Sequence, residues 1–333
     1  MVKNKIRYEY LDVDWGMKLG DVGGVAVDAK DNLYVALRGV ETPIIIFDKD
    51  TNHIGQIGTG MGVKNAHGIG TDPQGNVLLV DTVRQVVHKF APDGKLLFTL
   101  GTLDAPNRES GAINGDFRTV KRPGGPFYNP AKVATTGTGE ILVADGYGNC
   151  CIHRFTKDGK HIKSWGKPGS GPGEFYIVHG IGVDQQNNDV YIADRENDRI
   201  QIFDIDGNVK AIWTRVYKPT DCFIRGDYVY VSELGKALFN ELGSSFYDPR
   251  YSREISQVRV FDKKGNQVAQ IGTEDGGEPG SFLGAHGICV DSSGSVYVSE
   301  VSNWERHNAY AAWPNGKGMP TRFHPCVSKF KQV

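Results

Sequence analysis

The sequence predicts an all-β fold, a six-bladed β-propeller with four antiparallel strands in each blade. The chain has 333 residues and 43 glycines, and its Val, Ile, Tyr and Phe residues occur in short runs separated by Gly-containing turns, which is typical of β-strands. Four such runs form a unit that occurs six times. Units of this kind bury their flat faces only by stacking in a ring, so we expect one propeller domain over residues 1–333.

The second unit shows the pattern most clearly. It reads GIGTDPQGNVLLVDTVRQVVHKFAPDGKLLFTLG from Gly68, with four apolar runs separated by two turns and a short loop. The same pattern begins near Gly24, Gly68, Lys132, Gly180, Asp221 and Gly287. A phenylalanine marks the third strand of each unit, at Phe47, Phe90, Phe155, Phe203, Phe261 and Phe330.

The two ends of the sequence complement each other. The last unit stops near Phe330 without a fourth strand, whereas IRYEYLDVDWG near the N-terminus resembles a fourth strand that has no unit of its own. We therefore expect the N-terminal strand to complete the last blade and so close the ring.

Three similar motifs, AHGIGTD, VHGIGVD and AHGICVD, place a histidine just before the innermost strand of blades two, four and six. These histidines are His67, His179 and His286. Alternate blades of a six-fold ring lie about 120° apart, so the three imidazoles can converge at one mouth of the central channel. Histidine could instead merely favour this turn, but three alternating histidines favour a metal site with an open coordination position, which suits catalytic zinc.

The loops between the second and third strands project onto the same mouth. An arginine there can form paired hydrogen bonds with a substrate carboxylate, and a tyrosine beside zinc can act as a base because the positive metal favours a phenolate. The candidates are Arg38, Arg84, Tyr147, Arg195, Glu233 and Glu300. The sequence leaves open whether Arg84, Glu233 and Glu300 enter the pocket.

Carboxylates recur at the end of the second strand, at Asp81, Asp145, Asp194, Glu233 and Glu300. We interpret them as groups that accept hydrogen bonds in turns or orient the imidazoles. Three long insertions, at about 103–128, 234–256 and 303–325, open on the same face and are expected to cover the pocket and select the substrate.

Composition excludes several classes of function. The net charge is −1 with acidic and basic residues interspersed, which argues against nucleic-acid and membrane-surface partners. The N-terminus lacks an apolar signal segment and no run of about 18 apolar residues occurs, so we expect a cytoplasmic protein. Five cysteines without a CxxC pair predict neither a disulfide framework nor a thiolate zinc site.

At the level of the repeat the chain resembles the NHL-repeat propellers. The three histidine motifs, together with LRG, DGYGN and ADRENDRIQIF, resemble peptidyl-α-hydroxyglycine α-amidating lyase. That resemblance implies zinc held by His67, His179 and His286, Tyr147 as the catalytic base, and Arg38 and Arg195 as active-site arginines. The implied reaction converts a carbinolamide into an amide and glyoxylate.

The chain also departs from that family. The family's structural calcium uses an aspartate directly after the third histidine, where this sequence has Gly287, so calcium is not expected. Gly148 stands where the animal members have a cysteine after the tyrosine. Those members are secreted and fused to a copper monooxygenase; here we expect a small, carboxylate-bearing substrate.

Two other functions are also compatible with the sequence. A metal-dependent lactone or ester hydrolase would use the same metal site but consume water and produce an acid. A non-enzymatic NHL binding platform would hold no metal, and it would leave the alternating histidines unexplained.

Overall fold

The computed structural model describes residues 6–234, 256–272, 280–282, 284–301 and 326–333. It confirms the all-β six-bladed propeller, because the described residues form six four-stranded antiparallel sheets arranged as blades. The insertions predicted at 234–256 and 303–325 lie outside the described residues, apart from residues 234 and 256. No helix within the described ranges is long and apolar enough to cross a bilayer.

The first three blades follow the repeat units closely. Blade one comprises β2 (Val22–Val27), β3 (Leu33–Leu37), β4 (Ile44–Phe47) and β5 (His53–Ile57). Blade two comprises β6 (Ala66–Thr71), β7 (Val77–Asp81), β8 (Val86–Phe90) and β9 (Leu96–Gly101). Blade three comprises β10 (Pro130–Thr135), β11 (Ile141–Asp145), β12 (Cys151–Phe155) and β13 (His161–Trp165).

The other three blades have the same four-stranded plan. A short parallel pair, β14 (Lys167–Pro168) and β15 (Glu174–Phe175), precedes blade four, which comprises β16 (Val178–Val183), β17 (Val190–Asp194), β18 (Arg199–Phe203) and β19 (Val209–Trp213). Blade five comprises β20 (Pro219–Arg225), β21 (Tyr228–Glu233), β22 (Gln257–Asp262) and β23 (Gln267–Ile271). Blade six comprises β24 (Ala285–Val290), β25 (Val296–Glu300), β26 (Val327–Gln332) and β1 (Tyr8–Leu11). Within the described residues, three short 3₁₀-helices span Arg108–Ser110, Phe117–Thr119 and Arg195–Asn197.

The N-terminal strand closes the ring, as predicted. β1 pairs antiparallel with β26 and places Tyr10 opposite Phe330. The indole nitrogen of Trp15 donates a hydrogen bond to the carbonyl of Val327 at 3.1 Å, and its ring packs 5.0 Å from that of Phe47. These contacts join the last blade to the first.

The core is divided into six apolar clusters, one between each pair of neighbouring blades. Each cluster contains one of the third-strand phenylalanines that mark the repeats. Because each sheet buries both faces against its neighbours, the inner strands are buried on both sides and largely apolar. The phenylalanine in each unit is thus explained by packing between blades.

Candidate metal centre

The three predicted histidines occupy equivalent positions. His67, His179 and His286 are the second residues of β6, β16 and β24, the innermost strands of blades two, four and six. The pairing register with the second strand shifts at this point in all three strands, as in a β-bulge. A bulge re-aims the side chain of its extra residue; here it accompanies three side chains that converge at the channel.

The imidazole rings meet at the axis. Their centroids are 4.8 Å apart for His67 and His286, 4.9 Å for His179 and His286, and 5.1 Å for His67 and His179. Their potential ligand atoms all lie within 4.8 Å of one another, and the three residues are buried. The repeat therefore brings three separate segments of the chain into a single donor set.

The blades that lack a histidine fix the orientation of the rings. Each Nδ1 lies against a backbone carbonyl of the neighbouring blade: His67 at 2.8 Å from Ala131, His179 at 2.6 Å from Thr220, and His286 at 2.8 Å from Gly23. A carbonyl only accepts, so each Nδ1 must carry the proton and donate it. This fixes the tautomer and leaves the lone pair on Nε2, the arrangement that outer-sphere partners give to metal-binding histidines.

The lone pairs on the three Nε2 atoms outnumber the protons available to satisfy them. The phenol oxygen of Tyr147 lies 3.0 Å from Nε2 of His67 and 2.8 Å from Nε2 of His179. One phenol proton can satisfy only one of these lone pairs, and Nε2 of His286 has no hydrogen-bond partner among the described residues. Lone pairs of three neutral imidazoles whose ligand atoms lie within 4.8 Å of one another repel each other unless a cation lies between them. The residues therefore fit a divalent metal.

Electrostatics keep the imidazoles neutral. Burial lowers the pKa of His67, His179 and His286 well below its usual range. The positive charge of Arg38 acts in the same direction on all three, and that of Arg195 does so on His67 and His179. Neutral imidazole is the form that binds metals.

Two arginines and the tyrosine surround the histidines. Tyr147 lies in the loop between β11 and β12, and Nη1 of Arg195 lies 3.5 Å from its phenol oxygen. Nε of Arg195 donates to Glu196 at 2.9 Å, and Glu196 also accepts from Nζ of Lys218 at 3.1 Å. Arg38 differs, because its buried Nε and Nη2 have no hydrogen-bond partner in the part of the chain that the structure describes.

The chain is similar to known propeller proteins. Residues 126–236 match the family described as 6-bladed beta-propeller. The chain is 33% identical to peptidyl-alpha-hydroxyglycine alpha-amidating lyase 1 of Drosophila melanogaster over 270 residues. The aligned region covers 72% of this chain and 43% of that protein. It is 30% identical over 229 residues to NHL repeat-containing protein 3 of Homo sapiens, covering 64% and 61%. The protein is a six-bladed NHL-type propeller, distantly related to the amidating lyases.

The chain matches only a small part of some larger relatives. The NHL-type propeller is 30% identical over 217 residues to peptidyl-glycine alpha-amidating monooxygenase of Mus musculus, spanning 56% of this chain but 21% of the relative. Among solved structures, virginiamycin B lyase from Staphylococcus aureus superposes with a TM-score of 0.57 at 12% identity, covering 99% of this chain and 100% of that chain. That likeness shows a shared fold.

The remaining sequence candidates have partners other than the histidines in the described structure. Arg84 donates to Asp104 at 3.0 Å and to the carbonyl of Gly62 at 3.2 Å, so its guanidinium is held by other loops of the NHL-type propeller. Glu233 accepts from Nε2 of Gln257 at 2.8 Å, and Glu300 lies 3.5 Å from the backbone nitrogen of Gly284.

Recurring aspartates fasten the innermost strands of blades two, three and four. In three blades the aspartate at the end of the second strand accepts backbone N–H groups that precede the innermost strand. The pairs are Asp81 with Lys64 and Asn65, Asp145 with Tyr128, and Asp194 with Tyr176, at 2.8 to 3.1 Å. The interpretation of these groups as turn acceptors agrees with the geometry of the three aspartates.

The insertion at 103–128 supports the loop that carries Tyr147. The hydroxyl of Ser110 donates to the carbonyl of Gly148 at 2.6 Å, and the backbone N–H of Gly148 donates to the carbonyl of Tyr128 at 2.9 Å. A Cβ at Gly148 would lie 2.5 Å from the ring of Tyr128. Glycine therefore permits the close packing that holds Tyr147 at the mouth.

Sequence reasoning missed one pair of residues near the site. Lys132 and Asp221 directly follow Ala131 and Thr220, and Nζ of Lys132 donates to Asp221 at 2.6 Å. The signal was present, since the corresponding residue of the other four units is glycine: Gly24, Gly68, Gly180 and Gly287.

Proposed function

We propose that this propeller is a lyase that uses a divalent metal, expected to be zinc, to cleave a C–N or C–O bond at a hydroxylated carbon. The substrate would be a small, carboxylate-bearing carbinolamide or hemiaminal, and the products an amide and glyoxylate or another carbonyl compound. One observation carries the proposal: Tyr147 contacts Nε2 of both His67 and His179. A proton-accepting group thus lies at the atoms that would hold the metal.

Three neutral histidines with an open position suit zinc in a catalytic site. Zinc bound there would act as a Lewis acid that lowers the pKa of a substrate hydroxyl. The chain's part is to supply His67, His179 and His286 in one tautomer, fixed by the carbonyls of the alternate blades.

Tyr147 is the proposed general base. Its phenol oxygen would take the proton from the substrate hydroxyl as the carbonyl forms, and the same oxygen would return that proton to the departing nitrogen. The balance is complete, because R-CO-NH-CH(OH)-COO⁻ gives R-CO-NH₂ and glyoxylate with no water consumed. Arg195, with Nη1 3.5 Å from the phenol oxygen, is placed to stabilise negative charge on it.

Arg38 is the proposed carboxylate-binding residue. Its buried Nε and Nη2 lack partners among the described residues, and a buried guanidinium without partners is costly. A substrate carboxylate can accept both donors at once, since the planar guanidinium matches its geometry. The distant relationship to amidating lyases supports the same assignment.

The test is to incubate the zinc-loaded protein with an N-acyl-α-hydroxyglycine and to measure glyoxylate and the amide. Equal amounts of both products, abolished by a chelator and restored by zinc, are expected. A parallel incubation with simple lactones and aryl esters distinguishes the alternative hydrolase, which would produce acid from these compounds and no glyoxylate. A protein that binds no metal and converts neither class would instead favour a binding platform.

A further inference from the structure

In each innermost strand, one residue directly follows the histidine or, in blades one, three and five, the residue equivalent to it. The identity of this following residue forms an unusual pattern around the ring. Four of the six innermost strands have glycine there, whereas β10 has Lys132 and β20 has Asp221. Nζ of Lys132 donates to Oδ2 of Asp221 at 2.6 Å, with the two side chains 11% and 2% exposed. An ion pair therefore links blades three and five beside the histidines.

The glycines leave room for this pair. A Cβ at Gly68 would lie 2.6 Å from Cα of Lys132 and 3.1 Å from its Cδ. A Cβ at Gly180 would lie 2.5 Å from Cα of Asp221. The strands that carry the histidines thus pack closely against the strands that carry the charges.

The ion pair is connected to all three imidazoles. Lys132 follows Ala131, whose carbonyl accepts from His67, and Asp221 follows Thr220, whose carbonyl accepts from His179. Oδ2 of Asp221 also accepts from the backbone N–H of Ile288 at 3.2 Å, two residues after His286. A shift of either charged residue would therefore displace a group that orients a proposed metal ligand.

Stability alone does not explain such a pair. Removing two charges from water costs about as much as their attraction returns, and apolar replacements of buried ion pairs are often neutral or stabilising. A short, directed ion pair also holds the two strands that carry it, β10 and β20, at a fixed distance. The carbonyls of Ala131 and Thr220 require such a fixed distance.

We propose that Lys132 and Asp221 are positioning residues whose ion pair sets the spacing of His67 and His179 and thereby the affinity of the site for a divalent metal. The inference rests on the metal site of the proposed function, but not on its lyase chemistry. Groups that orient metal ligands typically change metal affinity about 10- to 100-fold when they are removed. We expect an effect of that size here.

The experiment compares Lys132→Met and Asp221→Asn with a matched buried ion pair elsewhere. Lys89 and Asp72 form that control: Nζ lies 2.8 Å from Oδ2, and the side chains are 5% and 0% exposed. Asp72 follows β6 at the end opposite His67. Zinc affinity is measured by chelator competition, ligand geometry by the visible absorption of the cobalt-substituted protein, and folding by thermal unfolding without metal.

Lys132→Met and Asp221→Asn should lose about 10- to 100-fold in zinc affinity and alter the cobalt spectrum. Lys89→Met should leave affinity and spectrum unchanged even if its unfolding temperature falls. The double variant Lys132→Met/Asp221→Leu removes both charges together; it should regain stability but not affinity. Recovery of affinity in this double variant would show that an uncompensated charge, rather than lost spacing, caused the effect.

Wild-type affinity in Lys132→Met, or an equal loss in Lys89→Met, would overturn the proposal. If Lys132→Met does not fold, the isosteric Asp221→Asn gives the same comparison. A wild-type protein that binds neither zinc nor cobalt would overturn this inference together with the proposed function. One that binds zinc but releases no glyoxylate would overturn only the lyase chemistry.

Discussion

Arg195 of blade four lies against Tyr147 of blade three: Nη1 is 3.5 Å from the phenol oxygen, and the guanidinium carbon is 5.5 Å from the ring centroid. The other side of the guanidinium is fixed by Glu196. The proposed base thus lies between a cation and two imidazoles, so removing its oxygen should affect chemistry more than folding.

Tyr147→Phe should retain metal and lose turnover. The ring still packs in its loop, but no group remains to carry the hydroxyl proton. General base catalysis contributes about 10²- to 10⁴-fold, so kcat should fall by that factor while the metal content stays near one equivalent. Glyoxylate release and elemental analysis on one preparation give both numbers. Wild-type turnover in this variant would reject Tyr147 as the base.

His179→Ala should lose the metal itself. Removing a proposed direct ligand should lower zinc affinity by more than the ~10- to 100-fold typical of outer-sphere substitutions. His88→Ala is the control, because His88 is buried but contacts Thr99 in blade two, at 3.0 Å. Elemental analysis after dialysis should show zinc in the control and little in His179→Ala. Equal zinc content in both would argue against the three-histidine site.

Arg38→Gln should weaken substrate binding without weakening the fold. Hydrogen bonds to charged groups contribute about 1.5–3 kcal/mol, so kcat/KM should fall about 10- to 100-fold for a carboxylate-bearing substrate. The unfolding temperature should not fall, because Nε and Nη2 of Arg38 have no partner in the described structure. For the methyl ester of the same substrate, kcat/KM should differ little between the variant and the wild type. Equal losses for acid and ester would contradict the assignment.

The metal-free protein should be less stable in mild acid. Burial holds the pKa of the three channel histidines well below the usual value near 6.5. Below pH 6.5 the unfolded chain therefore binds protons that the folded chain does not. The free energy of unfolding thus decreases as the pH is lowered, until the folded histidines also become protonated. Each histidine contributes a slope of about 1.4 kcal/mol per pH unit.

The check is chemical denaturation of the chelated protein between pH 7 and 5, for wild type and for His286→Gln. The free energy of unfolding of the variant should change less steeply with pH, by the amount that corresponds to one proton fewer taken up on unfolding. Comparing slopes is necessary because buried carboxyls act in the opposite sense; burial raises the pKa of Asp194 to about 6. Identical slopes would mean that His286 titrates alike in the folded and unfolded chain.

The fold was accessible from sequence because each blade repeats one local pattern. Phe47 and its five counterparts mark units whose apolar faces can only be buried by neighbouring units. The convergence of His67, His179 and His286 follows from the same repetition, since equivalent positions in alternate blades must meet at the axis. Their roles, and those of Tyr147, Arg38 and Arg195, stay predictions.

Contacts between blades were not accessible from sequence. The hydrogen bond from Nδ1 of His67 to the carbonyl of Ala131 depends on the register shift in the innermost strands. The residue pattern does not predict this shift. The pairing of Arg84 with Asp104 depends on the course of a long insertion. Lys132 and Asp221 are distant in sequence, and only the ring brings them together.

The strand order of the sixth sheet governs when this protein can acquire its final shape. Of the described strands, β1 is made first and β26 last, yet the two are hydrogen-bonded neighbours. Blades two, three and four can assemble from consecutive stretches as they leave the ribosome, but closure must await the synthesis of β26, and pairing across such a sequence distance is slow. Until then the nascent chain is an open arc with an exposed apolar flank at each end, the stage at which it is most vulnerable to aggregation.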